Sequence, residues 1–399
     1  MKQAQLVTGL FAALLVLALS VPASAAFTLY DKEGATFSAD GFFNTFYVQS
    51  SSDKNAAMEA LIGPDRDQSR VKMGFLPNYI GFNFSKQVDN LKLGGRSSFW
   101  VSINDSDDSG AKVTDTGIDV RQFYGTVEGD WGQILIGKDF TLFSRSNIFL
   151  DEILMGYGNV SDFLGLVDGG GVSFGNIGSG YIYPGPSAQI TYRTPNMGGF
   201  KLAVGIIDPS RMSDAADAEE NTPRLEAELT FNHSFDQGSV TAWVGGVTQK
   251  SESAAGASTA DVDTQGFSYG VNAKFAGLSL TGSGFTAEGM GLLTTTQDRI
   301  LGLGPLVSAA GEELESEGYL AQGSYTFDKV RLVGSYGKNE YNIAGNSAPA
   351  LEDETITGAV FYSINDYLKV VAEYNINTIT LGSAEEETKT IALGGIINF

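Results

Sequence analysis

Apolar and polar residues alternate along most of this chain with a period of two, as in strands that divide an apolar medium from a wet one. At the C-terminus Ile391, Leu393, Gly395, Ile397 and Phe399 share one face, while Thr390, Ala392, Gly394 and Asn398 form most of the other. From Leu368 the apolar set is Leu368, Val370, Ala372, Tyr374 and Ile376, with Lys369, Val371, Glu373 and Asn375 between them. Read backwards, the same alternation marks segments around 356–362, 330–336, 321–327, 278–280, 267–275, 240–244, 225–231, 200–206 and 188–192. Before these come a segment ending at Gly137 and others around 121–127, 91–103, 80–84 and 36–48, which makes sixteen predicted strands.

The connections carry a second regularity. Tight ones at Gln87–Asn90, Gly129-Asp130, Thr194–Gly198, Asp236–Gly238, Ala276-Gly277, Asp328-Lys329 and Asn365-Asp366 alternate with longer acidic ones. The long set lies at about 50–78, 104–117, 138–186, 208–223, 249–264, 287–317, 340–353 and 378–386. Short turns at one end, long loops at the other and an even strand count predict an all-β fold: a transmembrane 16-stranded antiparallel β-barrel with both termini on the periplasmic side. Closure is required because an open edge would leave N–H and C=O groups unpaired in hydrocarbon. A soluble sandwich or β-helix would also alternate. It would not explain the regular exchange of short and long connections, nor Lys274, Arg331, Glu226 and Glu228 opposite the apolar face.

Ahead of the strands, Lys2, an apolar run from Leu6 to Leu19 and the small residues Ala23-x-Ala25 predict a secretory signal over 1–25, cleaved after Ala25 or Ala26. The barrel domain is then 26–399. The chain holds no cysteine and has a formal net charge of −22. Export without cysteine excludes a disulfide scaffold, and the acidity argues against nucleic acid as a partner. No catalytic residue, metal or cofactor is expected, since no zinc or haem ligand set exists and His233 stands alone between Phe231 and Phe235.

Gly41-Phe42-Phe43-Asn44, the stretch Val120 to Gly125 leading to Gly132-Gln-Ile-Leu-Ile-Gly-Lys138, and the terminal Phe399 carry a resemblance to the Gram-negative general porins. It covers nearly all the mature chain. Val127, the offset Gly125, Trp131 and Lys138 depart from the family pattern, as do the missing Pro-Glu-Phe-Gly-Gly-Asp motif and Ile397 in place of an aromatic residue. The resemblance implies a homotrimer of barrels in the outer membrane, each with a water-filled pore narrowed by an inward-folded third loop.

That loop corresponds to the glycine-rich connection from Lys138 to Tyr183, within about 138–186. It offers Lys138, Asp139, Asp151, Glu152, Asp162 and Asp168, while Arg96, Arg121 and Arg193 lie on flanking strands. Alternation points Arg96 and Arg193 into the lumen and leaves Arg121 open, because neither face of its strand is cleanly apolar. Basic side chains on the wall facing loop carboxylates would set a transverse field across a narrow passage, and these nine residues are the candidate constriction. The plain reading of each is a charge that solvates or tethers the lumen face. Ser146–Met155 is predicted as a short helix capped by Asn147. Asp105 to Gly110 has calcium-loop spacing, but Thr116 stands where the bidentate glutamate belongs, which makes it an acidic surface loop. Acidic outer loops beside lipopolysaccharide can gather divalent cations there. The matches at Gly132–Lys138, Ser173 and Ser268 lack the strand-turn-helix setting that phosphate binding or a nucleophile requires. The expected function is passive diffusion of ions and small hydrophilic solutes with a mild cation preference. The rivals are a substrate-specific channel, a hydrolase using Ser173 or Ser268, and a plugged structural barrel.

Overall fold

The computed structural model describes residues 26–104, 118–169, 172–210, 219–252, 261–291, 312–342 and 351–399. The predicted signal at 1–25 and the calcium-like segment at 105–110 lie outside the described residues. The first strands are β1 (Phe27–Lys32), β2 (Ala35–Lys54), β3 (Arg66–Lys72), β4 (Asn78–Val88), β5 (Leu91–Val101), β6 (Ile118–Gly129) and β7 (Gly132–Phe140). They are followed by β8 (Pro186–Arg193), β9 (Phe200–Ile207), β10 (Arg224–Phe235), β11 (Gly238–Ser251), β12 (Val262–Phe275) and β13 (Leu278–Glu288). The last are β14 (Glu315–Phe327), β15 (Val330–Asn342), β16 (Leu351–Ser363), β17 (Leu368–Leu381) and β18 (Ala384–Asn398). Among the described residues two short helices accompany them, α1 (Ala56–Ile62) and α2 (Arg145–Phe149).

Each strand from β4 to β18 pairs antiparallel with the next, and β18 returns to β2, which pairs with β4, so the sheet closes. Eighteen strands fill the sixteen staves of the barrel. The excess arises at the seam. β3 and β4 pair with successive halves of β2, at 46–52 and 35–42, and so share one stave. β1 pairs with 35–39 of β2, below the point where Asn398 meets Phe42, and so prolongs the stave of β18. All sixteen predicted strands are present, and the turn chemistry that spaces them is local. At Ala276-Gly277 both residues take positive φ, 47° and 88°, as a two-residue hairpin loop demands.

Alternation sorts the faces as expected. Ile391, Leu393 and Ile397 are exposed on one side of β18, whereas Ala392 and Ile396 are buried on the other. The exposed apolar band recurs from strand to strand, which is the surface that lipid covers.

Two long connections are shorter than predicted. Strands β17 and β18 run on to Leu381 and Ala384, leaving a two-residue turn where a loop at 378–386 was expected. The connection at 50–78 is mostly ordered backbone: β2 continues to Lys54, α1 follows with Asn55 accepting from the Met58 N–H at 3.0 Å, and β3 pairs back onto β2. Strand ends that leave the membrane lose the apolar half of their pattern, so polarity there reads as loop.

Candidate functional site

The segment between β7 and β8 is largely buried over its described residues, 141–169 and 172–185. An irregular segment has N–H groups with no ladder partner, and when buried each must find an acceptor. Here carboxylates on the polar face of distant strands supply them. Glu226 of β10 accepts from the Leu142 and Phe143 N–H groups at 2.6 and 2.8 Å, and Glu228 from Ser146 at 3.1 Å. Glu373 of β17 accepts from Tyr157 and Gly158 at 2.9 and 2.7 Å. Glu386 of β18 accepts from Asp162 and Phe163 at 2.8 and 2.9 Å. The contact is close enough that a side chain at Gly156 would strike the Glu373 carboxylate, and one at Gly337 of β15 would strike the Ser179 carbonyl.

Apolar packing fills the space between these anchors. Ile153, Leu154, Tyr157, Val160, Ile177 and Tyr181 pack with inner-face residues such as Phe46, Phe361 and Ile396. The helix is shorter than predicted: it covers Arg145–Phe149, and Ser144 precedes it without a side-chain cap. Asn147 lies inside the helix instead of capping it. Its amide accepts from the Trp243 indole at 3.1 Å and donates to Ser283 at 3.0 Å.

The candidate carboxylates all have partners. Asp151 accepts from Gln322, Tyr181 and Asn176 at 2.8, 2.8 and 3.0 Å, and burial raises its pKa despite these donors. Glu152 accepts from Ser279, from Ser324 at 2.9 Å and from Arg331 at 2.9 Å. Asp162 pairs with Lys54 at 2.9 Å and with Arg66, and Asp168 pairs with Arg66 and Arg70 at 2.8 and 2.7 Å. Burial works against ionisation of both, but hydrogen bonds from these cations outweigh it and hold both pKa values below the ordinary aspartate range. Asp139 accepts from Gln122 at 2.9 Å and from Arg145 at 3.1 Å, with Arg193 at 3.9 Å.

Among the basic candidates, Arg96 pairs with Asp40 at 2.7 Å and donates to Asn83 and Gln122, a wall-to-wall contact. Arg121 is the residue skipped where Ser98 pairs with Gln122 and Phe99 with Val120. This β-bulge breaks the alternation and explains why neither face of its strand read as apolar. The re-aimed guanidinium donates to the Tyr183 hydroxyl at 3.2 Å and to Asp119 at 2.8 Å, and lies 5.1 Å over the Trp100 ring. Lys138 does not join the others. Asp139 is buried beside it, and a period of two puts Lys138 on the face of the exposed Ile134 and Ile136.

The structure thus brings together Arg96, Arg193 and Asp139 through Gln122 and Arg145, and separately the pair Asp151 and Glu152, and the pair Asp162 and Asp168. The partners that the sequence alone does not single out are Asp40, Lys54, Arg66, Arg70 and Glu386. Arg66, Gln68, Arg70 and Lys72 repeat at intervals of two, the one signal that 66–72 is a strand with a basic face. Of the enzyme-like residues, Ser173 donates to the Tyr157 carbonyl, Ser268 stands in β12 opposite Gly245, and His233 stacks between Phe231 and Phe235.

Residues 12–378 match a family model described as Gram-negative porin. No curated protein matches the chain in sequence. Among solved structures, an anion-selective porin from Comamonas acidovorans superposes with a TM-score of 0.63 at 15% identity, covering 92% of this chain and 100% of its own. The outer membrane channel DcaP of Acinetobacter baumannii gives 0.62 at 14% identity, covering 94% and 100%. OmpT of Vibrio cholerae in a trimer form gives 0.53 at 16% identity, covering 92% and 100%. At these identities the likeness is one of fold.

Proposed function

The chain belongs to the Gram-negative porins, multi-pass β-barrels of the outer membrane that form channels for solutes, and we propose that it mediates passive diffusion of ions and small hydrophilic solutes as a homotrimer. In this reading residues 141–185 fold into the lumen and narrow it. What supports this is the set of wall carboxylates on β10, β17 and β18 that accept backbone N–H groups of the segment. They lie on the face away from the apolar band, and in a closed barrel that face is the inside.

The cation preference expected from net charge draws no support from the side chains. Arg193 and Arg331 are 24% and 28% exposed, whereas their carboxylate partners Asp139 and Glu152 are 1% and 7% exposed. The wetted ends of these pairs are basic, and screening over about 8 Å at physiological salt leaves local charge in control. We therefore propose a channel without cation preference. The stacks of Arg121 on Trp100 and Arg96 on Tyr79 favour a second reading, retention of particular anionic solutes on the way through.

Single-channel recording in planar bilayers tests the function. Stepwise conductance is expected, with larger and noisier steps in Glu226→Ala/Glu373→Ala. A folded protein without conductance would point to a plugged structural barrel. Reversal potentials in a salt gradient are expected near zero or on the anion side, and saturable block by one anion would mark the second reading.

A further inference from the structure

Between Asn159, Ser179 and the inner faces of β16 and β17 runs a buried polar seam whose unmatched atoms are all oxygens. Asn159 donates to Thr355 at 2.9 Å and to Ser179 at 3.0 Å. Asn377, opposite Thr355 in the ladder, donates to Thr355 at 2.9 Å and to Asp353 at 2.6 Å. Asn375 donates to Thr357 at 2.9 Å and to Glu373 at 3.3 Å. Each of these four acidic or amide side chains, Asn159, Asp353, Asn375 and Asn377, is about 1% exposed. Each retains one oxygen without a partner: Oδ1 of the three asparagines and Oδ2 of Asp353.

Rotating the amides would not relieve this. The Nδ2 groups of Asn375 and Asn377 already face carboxylates, so an exchanged amide would set oxygen against oxygen. Buried acceptors of this kind are costly unless matched, and amide and ionised carboxylate oxygens cannot match one another. What they lack is positive charge or hydrogen.

We propose that this seam binds a hard, oxygen-seeking cation of the calcium class, held by Asp353 Oδ2 and the amide oxygens of Asn375 and Asn377, with Asn159 closing the site from the loop side. Carboxylate and amide oxygens are the ligands such ions take, and water completes the shell. The local charge agrees. Asp353 is bonded only by an amide, and Glu373 only by backbone N–H groups and an amide. Among the described residues no three histidine, cysteine, aspartate or glutamate side chains gather as a metal site. Neutral amides must therefore supply most ligands, which fits the weak affinities of extracellular calcium modules, about 10⁻⁴–10⁻³ M. The ion would fasten the segment to the wall without any basic side chain.

The experiment is calcium titration of the folded, EDTA-treated full-length mature protein in detergent, followed by calorimetry and by thermal unfolding. Magnesium and sodium chloride at matched ionic strength serve as comparisons. Calcium is expected to bind and to raise the unfolding temperature more than magnesium or sodium does. Asp353→Asn, which keeps the shape, should weaken binding by ~10-fold or more, as should Asn377→Ser if the first variant does not fold. Asp105→Asn/Asp107→Asn, in the calcium-like segment, should leave it unchanged. The proposal is overturned if calcium does not bind, if Asp353→Asn and Asn377→Ser bind it as the native chain does, or if only the 105/107 variant loses it; water or a proton on Asp353 would then satisfy the seam.

Discussion

Arg331 and Glu152 show what a single pair contributes. The carboxylate is 7% exposed and also accepts from Ser279 and Ser324. Replacing Arg331 by methionine keeps the bulk over the Phe361 ring and removes the charge. A partly wetted pair of this kind supports a loss of ~1–3 kcal/mol, seen as a lower unfolding temperature, and a reversal potential displaced toward cations. Arg121→Ala is different. Its ion pair with Asp119, which is 54% exposed, should contribute less than ~1 kcal/mol, so any larger loss of stability comes from the Trp100 stack and the Tyr183 bond, while the selectivity moves. Asp162 and Asp168 supply a pH dependence. Their folded pKa values are lowered, so they bind fewer protons folded than unfolded, and their stabilising effect is present above the unfolded value of about 3.9. It is lost as pH falls through the folded value. Proteolysis of the 159–169 limb should therefore rise as pH falls below about 4. In Asp162→Asn/Asp168→Asn it should already be high at neutral pH. Arg331 was visible as a charge opposite an apolar face, Arg121 as a charge on a strand of ambiguous facing and the two aspartates as charges in a long connection, but the pairing was not visible, because it joins residues as far apart as Arg66 and Asp162.

At the scale of elements, α1 is the least expected feature. Its Met58 is fully buried with Val262, Tyr341, Leu351, Ile379, Leu381 and Ala384, and Phe163 and Leu164 of the long segment pack on the same cluster. The first connection and the third are thus joined by an apolar contact, beside the ionic one from Lys54 and Arg66. Met58→Ala should cost ~2–5 kcal/mol of local packing. It should speed proteolysis between 55 and 66 and leave global unfolding of the barrel nearly unchanged. The strands themselves were legible because alternation is repeated over many residues. The bulge at Arg121 was legible only as a disturbance, since one inserted residue leaves no pattern of its own.

For the whole molecule, closure brings the two ends of the chain together. Gly41 and Phe399 exchange backbone hydrogen bonds at 2.8 and 3.0 Å, and a side chain at Gly41 would run into the Phe399 ring. Gly41→Val should therefore reduce the yield of folded barrel without altering the conductance of what does fold. Native mass spectrometry should find three copies, and a monomer active in bilayers would end the trimer proposal. The barrel, its strand number and the place of its longest connection follow from the local pattern, because a bilayer accepts a sheet only when it is closed and imposes a period of two on every strand. Which charges meet depends on the closed fold. Glu226, Glu373 and Glu386 lie on three separate strands, and nothing local says that each will accept backbone N–H groups of 141–185. Those contacts exist because a buried irregular segment must satisfy its backbone wherever the closed wall offers an acceptor.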